Sequence, residues 1–205
     1  MNLGQMLIVV CAMTLLGLLS LRTNSSIIQA NQVQNNSEFG VTAVSLATSI
    51  VEEAMGTMFD SSVGDTVSPE VDTSISKLTA PGSLGHSGAE SFRGTKPGTS
   101  DFNDFDDFHN LFLVYKSDHP RDTAKTTGSD YEFIVPGIRS KYYVRAKVTY
   151  VNISNLNSTS SVRTWHKKIV VTVSTPYPKI GTTAQQIQDS LSRTLVFPAV
   201  MSYWN

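Results

Sequence analysis

The sequence contains almost no cysteine, and this limits how its folded part can be stabilised. Cys11 is the only cysteine among 205 residues, so no disulfide can form within one chain. There is no set of cysteines to bind zinc, and the four histidines show none of the spacings typical of metal ligands. The folded part must therefore be held together by packing alone.

The chain also has no excess of positive or negative charge. The chain has 16 Lys and Arg against 17 Asp and Glu, which gives a formal net charge of −1, and the basic residues are scattered along the sequence. Nucleic-acid-binding proteins usually concentrate basic residues on one surface. We therefore expect no nucleic-acid partner. The length and the 40% hydrophobic content suit one modest folded domain with an appendage.

The common catalytic motifs are absent as well. There is no G-x-S-x-G elbow for a nucleophilic serine and no glycine-rich loop for a phosphate. Glu52 and Glu53 are adjacent, so on a helix their side chains point about 100° apart and form a solvated flank rather than an acid/base pair. We expect no enzymatic activity and no organic cofactor.

What the sequence does have is one long apolar run, "GQMLIVVCAMTLLGLLSLR", from Gly4 to Arg22. It is close to the roughly 17–25 residues that a helix needs to cross a bilayer. It could be a cleaved secretion signal, a simple membrane anchor or a helix retained in the working protein. Secretion signals usually have a basic start and a small-residue cleavage site. Because Met1–Gly4 has no basic residue and "LLSLRTNSS" is a poor cleavage site, the sequence favours a retained helix.

A second helical segment follows the apolar run. Residues 25–60 contain no proline, and apolar residues recur there at steps of three and four. These residues are Val44, Ala47, Val51, Ala54 and Met58. If the two segments are continuous, Gln5–Phe59 forms a rod of about 80 Å. Asn35, Asn36 and Gly40 are poor helix formers, so a bend between the segments remains open.

The rest of the chain predicts a β-sheet preceded by a long loop. Residues 61–100 are rich in Ser, Thr, Gly and Pro, which is typical of a loop. Four segments then carry strand signals. Aromatic and β-branched residues are concentrated in His109–Lys116 and Tyr131–Val135, and apolar and polar residues alternate in Lys141–Val151 and Thr164–Thr175. Residues 152–163 are interpreted as a polar hairpin loop, Thr182–Leu195 as a short helix, and Tyr203 and Trp204 as aromatic residues that fold back onto the sheet. The predicted fold is α+β, with a long N-terminal helix packed on an antiparallel sheet of about four strands.

Three short stretches carry a resemblance to a known family. They are "GQMLIVV" at the N-terminus, "SLATSIVEEAMGTMFD" at the end of the predicted helix and "DFDDFHNL" before the first predicted strand. Together they resemble type IV pilins and pseudopilins, most closely the minor pilins of the MSHA-biogenesis and PilV-like kind. The resemblance implies a structural subunit of a pilus-like or type II secretion-like filament. The alternative is a single-pass membrane or secreted adhesin or binding domain with no filament role.

The resemblance also implies how the chain is processed. A prepilin peptidase would cut between Gly4 and Gln5, and the amine of Gln5 would be methylated. Val9 stands where most family members have a glutamate that pairs with the N-terminal amine of a neighbouring subunit, which implies a tip or priming subunit. The expected regions are a leader at 1–4, a transmembrane and filament-core helix at 5–24, an amphipathic helix at 25–60 and a β-rich domain at 61–205.

The resemblance further implies where the protein is found and what it contacts. It would cross the inner membrane once and then enter a periplasmic or extracellular filament. Its partners would be other pilin subunits, in a homo- or hetero-filament. Helix assembly would involve Val9 and the residues of the later apolar stripe, Val44, Ala47, Val51, Ala54 and Met58.

Clustered aspartates in "DFNDFDDFHN" raise one further possibility. Asp101, Asp104, Asp106 and Asp107 lie within seven residues, and calcium prefers six to eight oxygen ligands. An EF-hand loop counted from Asp101 fails, because its sixth and twelfth places hold Asp106 and Phe112. Two interpretations stay open, namely a calcium site and a turn in which aspartates cap backbone amides.

Overall fold

The computed structural model describes residues 2–63, 74–117, 131–136, 138, 140–175 and 193–203. The chain divides into two compact units, Met1–Thr42 and Ala43–Asn205. Helix α1, Leu3–Met55, contains 53 residues and contributes to both units. The two predicted helical segments are therefore one continuous helix. Asn35, Asn36 and Gly40 all lie within it.

The first unit consists of α1 as far as Thr42, and the apolar run forms its N-terminal half. Large apolar side chains are exposed over its whole length, and the helix is long and apolar enough to cross a membrane. The exposed residues of the apolar run include Met6, Leu7, Ile8, Val10, Met13, Leu15, Leu16, Leu18, Leu19 and Leu21. Such a surface needs lipid or other apolar side chains around it, since its contact with water is unfavourable.

The described residues of the second unit form a mixed sheet of six strands. The strands are β1 Phe112–Lys116, β2 Tyr131–Ile134, β3 Tyr142–Asn152, β4 Asn155–Thr159, β5 His166–Thr175 and β6 Arg193–Ser202. Their order is β2-β1-β3-β5-β6, with β4 paired to β3 outside this path. Strands β1 and β2 are parallel, and the other pairs are antiparallel.

These strands confirm the predicted fold class and correct its details. The sheet has six strands rather than four and is mixed rather than antiparallel. Strand β4 lies in the segment interpreted as a polar hairpin loop. Strand β6 includes residues 193–195, the end of the predicted helix, while residues 182–192 lie outside the described part of the chain. Tyr203 does fold back, because its ring stacks on Trp165 with centroids 5.2 Å apart, while Trp204 lies outside the described residues.

The inner face of the sheet follows the predicted alternation. Strand β3 buries every second residue from Tyr142 to Tyr150, and β5 buries every second residue from Lys167 to Thr175. The final turns of α1 pack against this face. The buried helix residues are Ala43, Ala47, Ile50, Val51 and Ala54.

The predicted helix stripe is therefore partly wrong. Ala47, Val51 and Ala54 are buried, but Val44 is 45% exposed and Met58 is 39% exposed. The buried face is centred on alanines, because small side chains let the helix lie close to the sheet. Met58 lies beyond the last residue of α1, so the helical period no longer applies to it.

The long segment before β1 is ordered by aromatic packing in its described part, 74–111. The rings of Phe92, Phe102 and Phe108 lie with centroids 5.2–6.2 Å apart. Arg93 holds the segment to α1 through an ion pair with Glu53, at 2.7 Å between Nη2 and Oε2. This part of the predicted loop is thus built into the second unit.

Candidate functional site

The acidic turn before β1 is organised by its own side chains. Residues Phe105–Phe108 form a 3₁₀ turn, and Asp104 caps its N-terminal end. The Asp104 Oδ1 atom accepts hydrogen bonds from the backbone N–H groups of Asp106 at 3.0 Å and Asp107 at 3.2 Å. In return, the Asp107 carboxylate accepts from the N–H of Asp104, which completes a capping box. These contacts match the interpretation of capping aspartates.

The turn is also joined to the segment that follows α1. The N–H of Phe105 donates to the carbonyl oxygen of Met58 at 2.8 Å, and the N–H of Met58 donates to the carbonyl of Asn103 at 3.2 Å. The N–H of Ser61 donates to Asp104 Oδ2 at 2.9 Å. Because of these bonds, Asp60 lies beside the acidic turn.

Lys167 on β5 lies at the centre of this arrangement. Its Nζ atom donates to Asp60 Oδ2 at 2.9 Å, to the carbonyl of Phe59 at 2.7 Å, and to Asp106 Oδ1. The side chains of Lys167 and Asp60 are 0% exposed, and that of Asp106 is 4% exposed. A buried ammonium with two carboxylates joins three parts of the chain that are far apart in sequence. We call Lys167, Asp60, Asp104 and Asp106 the buried lysine cluster.

Aromatic rings enclose the ammonium. Nζ of Lys167 lies 4.5 Å from the ring centroid of Phe59 and 5.4 Å from that of Tyr150. Such rings attract a cation and keep water away from it. The Tyr150 hydroxyl donates to the carbonyl of Thr79 at 2.7 Å, so its polar end is satisfied.

The environment moves the pKa values of the carboxyl groups in different directions. For Asp60, burial acts to raise the pKa, but hydrogen bonds from Ser62, the charge of Lys167 and the N–H of Thr79 lower it below its usual value. Burial raises the pKa of Asp106 to about 6, against the opposing charge of Lys167. The two carboxyls on either side of the ammonium are therefore not equivalent.

Asp107 has a raised pKa for a similar reason. Burial, together with the negative charge of Asp104, raises its pKa to about 6, although the N–H groups of Asn103 and Asp104 favour the carboxylate. Its carboxylate is directed to these backbone groups. Asp107 therefore stabilises the acidic turn and does not contact Lys167.

The four aspartates singled out as a calcium site do not come together as one group. Asp104 and Asp106 meet Asp60, and oxygen atoms of these three carboxylates lie within 4.8 Å of one another. Asp101 is exposed, with a carboxylate oxygen 2.9 Å from the position that a Cβ would take at Gly94. Between Asp60 and Asp106 the positive charge comes from Lys167. The cation in this cluster is thus a side chain of the protein itself, and calcium binding stays a prediction.

Two members of the cluster were missed from the sequence. Lys167 has the same spacing as Ile169, Val171 and Val173, so the alternation of β5 already places it on the inner face. Asp60 directly follows Phe59, at the end of the predicted helix. The strand period could have identified Lys167 as a buried charge in need of a partner.

The N-terminal residues expected to be processed lie in the first unit. Gly4, Gln5 and Val9 are all in α1, and Val9 is 44% exposed. The N–H of Gln5 donates to the carbonyl of Asn2 at 2.8 Å. A side chain at Gly4 would meet no atom within 4 Å. These residues and the exposed apolar run form one continuous helical surface.

A separate groove lies on the outer face of the sheet. Its volume is about 610 Å³, and its basic lining residues are Arg145, Lys147 and Lys168. The described residues that line it include no Asp or Glu, and the sequence has no acidic residue between Glu132 and Asp189. The sheet therefore gathers basic residues that are scattered in the sequence.

Comparison of the chain with protein-family models, with curated proteins and with solved structures finds no match. Its function is therefore inferred from the apolar helix and the basic groove.

Proposed function

We propose that this chain is a structural subunit of a type IV pilus-like or type II secretion-like filament, held in the inner membrane by α1 before assembly. One observation carries the proposal. A single helix, Leu3–Met55, contains both the exposed apolar run and the alanine face that is buried against the sheet. A membrane or filament-core segment is thus joined to a folded domain without a break in the helix. The proposal includes no catalytic activity.

The physical reason lies in the apolar run. Shielding its side chains from water is worth on the order of tens of kcal/mol, at about 25 cal/mol per Å² of apolar surface. Lipid supplies this shielding before assembly, and the helices of neighbouring subunits supply it afterwards. An α-helix is suited to both environments because it satisfies its own backbone hydrogen bonds. The subunit can therefore move from the membrane into the filament without exposing this surface to water.

Fractionation tests this proposal. The protein should be recovered from membranes and also from filaments sheared off the cells that produce it. Leu15→Arg should block incorporation into filaments, because a charge in the apolar run costs about 2.5–3.5 kcal/mol at the centre of a membrane helix. Val41→Arg adds the same charge at an exposed position near the end of the first unit and should be tolerated. Recovery of the unaltered protein in the soluble fraction alone would overturn the proposal.

Val9 supports a position at the tip or in a priming complex. A carboxylate at this depth is costly unless a neighbouring subunit supplies a positive partner. A subunit with valine here makes no such pair, which suits a place with no neighbour above it. Immunogold labelling should find the protein at filament ends, and Val9→Glu should allow it along the shaft. Labelling of the unaltered protein throughout the shaft would contradict the tip assignment.

The second candidate is a single-pass or secreted binding domain with no filament role. The basic groove favours it, since Arg145, Lys147 and Lys168 lie together on an open sheet face. A binding role of this kind predicts that the Lys147→Glu variant loses adhesion while fractionation is unchanged. A filament role alone predicts that the same variant adheres like the unaltered protein.

A further inference from the structure

The buried contact between Lys167 and Asp106 points to a chemical modification. We propose that Nζ of Lys167 and Cγ of Asp106 become joined by an amide bond that forms within the folded chain. The bond would be a covalent cross-link between β5 and the acidic turn. It does not depend on the proposed filament function.

The structure holds the two reacting groups together. The ammonium of Lys167 contacts Asp106 Oδ1, and both side chains are almost fully buried. Lys167 is fixed by its strand, and the N–H of Asp106 is bonded to the capping carboxylate of Asp104. Reacting groups fixed in this way behave as if they were present at very high concentration, since the entropy of bringing them together has been lost during folding.

Asp60 is placed to move the protons. Its Oδ2 atom lies 2.9 Å from Nζ of Lys167, so it can accept a proton from the ammonium. Asp60 also accepts hydrogen bonds from Ser62 and from the N–H of Thr79, which hold it as a carboxylate, whereas the Asp106 carboxyl is in direct contact with the ammonium. Two carboxyls in such different surroundings are suited to different roles in one reaction. Asp60 is therefore the proton carrier, and Asp106 is the carboxyl that is attacked.

The reaction balances without an oxidant or a co-reactant. The ammonium of Lys167 gives one proton, through Asp60, to the carboxylate of Asp106. The neutral amine then attacks Cγ of Asp106, a C–N bond forms, and a second proton moves from nitrogen to the departing oxygen. The C–O bond breaks and one water leaves. An ammonium and a carboxylate have become an amide and water.

Burial supplies a reason for the reaction to proceed. In water, separated ions are favoured because they are well solvated, but this cluster removes both ions from water at a large cost. The neutral amide avoids most of this cost, and the Asp60 carboxylate, which loses its cation, keeps the hydrogen bonds from Ser62 and from the N–H of Thr79. After the bond forms, the remaining N–H can still donate to the carbonyl of Phe59, which lies 2.7 Å from Nζ. The amide therefore leaves that buried carbonyl satisfied.

Mass spectrometry of the purified full chain tests the proposal. The unaltered protein should be lighter by the mass of one water than the calculated mass of its mature chain, whose N-terminus is read from the same sample. Trypsin should then release residues 94–116 joined to residues 164–168, again lighter by one water than the sum of the two peptides. Peptide mapping also separates this loss from any change at the N-terminus. Full sequence mass together with two separate peptides would overturn the proposal.

Two single substitutions test whether Asp60 carries the proton and whether Lys167 is the lysine that reacts. Asp60→Asn should leave both reacting groups in place but abolish or greatly slow the loss of water, because the proton carrier is gone. Lys168→Met is the matched control, since Lys168 donates to backbone carbonyls outside the cluster and its variant should keep the cross-link. A cross-link that forms equally well in Asp60→Asn would overturn the role of Asp60. A cross-link lost in Lys168→Met would show that the wrong lysine has been assigned.

Discussion

The Nζ atom of Lys167 lies 2.9 Å from the Asp60 carboxylate, and the side chains of both residues are completely buried. This contact joins the central part of the sheet to the segment just after α1. Because Asp106 contacts the same ammonium, the acidic turn is joined at the same point. Three regions of the second unit therefore depend on one lysine.

Replacing that lysine should destabilise the second unit strongly. Lys167→Met keeps most of the side-chain volume but leaves the buried carboxylates of Asp60 and Asp106 without their cation, and it also prevents the proposed cross-link. Breaking a buried pair from one side costs about 3–5 kcal/mol. Urea unfolding should show a loss of this size.

Lys168→Met is the control for this experiment. Lys168 is its chain neighbour but is directed to the outer face, where it donates to the carbonyl of Leu156 at 2.8 Å. Its replacement should change the free energy of unfolding by no more than about 0.5 kcal/mol. Similar losses in the two variants would show that the cluster does not stabilise the fold.

Tyr150→Phe should have a smaller effect. It removes only the hydroxyl that donates to the carbonyl of Thr79 at 2.7 Å, while the ring beside Lys167 remains. The expected loss is about 1–2 kcal/mol, because the carbonyl loses its buried donor. Thermal and urea unfolding measure it. An unchanged midpoint would mean that water replaces the hydroxyl.

Asp107 should make stability depend on pH. Its pKa in the folded protein is about 6, above the usual value of about 3.9, so folding favours its protonated form. Its contribution to stability is fully present below about pH 4 and is lost as the pH rises through about 6. Asp107→Asn removes this contribution. The unfolding free energy of the unaltered protein, minus that of the variant, should therefore fall by about 1–3 kcal/mol between pH 4 and pH 7. A difference that rises with pH would contradict the assignment.

The helix face can be tested by adding volume at two positions. Ala47 is completely buried, whereas Val44 is 45% exposed. Ala47→Leu should cost about 1–3 kcal/mol, because the larger side chain would have to enter a packed contact between the helix and the sheet. Val44→Leu should change the free energy of unfolding by less than about 0.5 kcal/mol. Equal losses of unfolding free energy in the two variants would mean that Val44 is packed as closely as Ala47, as the sequence pattern predicted and the structure does not show.

The elements that could be predicted from the sequence are those with a regular alternation of apolar residues or a long apolar run. Strands β3 and β5 could be located because alternate residues are buried, and α1 because its apolar run is long and free of proline. Strand β4 could not be predicted from the sequence, because its five residues are all exposed and only Leu156 among them is apolar. It is defined by its pairing with β3. Strand β6 was not predicted, because its first residues, 193–195, were assigned to the end of a short helix. Pro198 is tolerated within it because β6 lies at the end of the described strand order.

The candidate site was only partly predictable for a different reason. The acidic turn was visible as a local cluster, and Asp104 and Asp107 do cap backbone amides. The partner of Asp106 was not visible, because Lys167 lies 61 residues further along the chain. Strand period predicts which face a residue occupies, but it does not predict which turn lies opposite. The parallel pairing of β1 and β2 was missed for the same reason, since alternation does not specify strand direction.

The N-terminus of the mature protein tests the filament account most directly. Edman sequencing or terminal peptide mass analysis of protein from membranes and filaments should find Gln5 as the first residue, with a methylated amine. A first residue near Asn24 would mean that the apolar run had been removed as a secretion signal. Retention of Met1 would mean an uncleaved anchor, and either result would contradict the filament account.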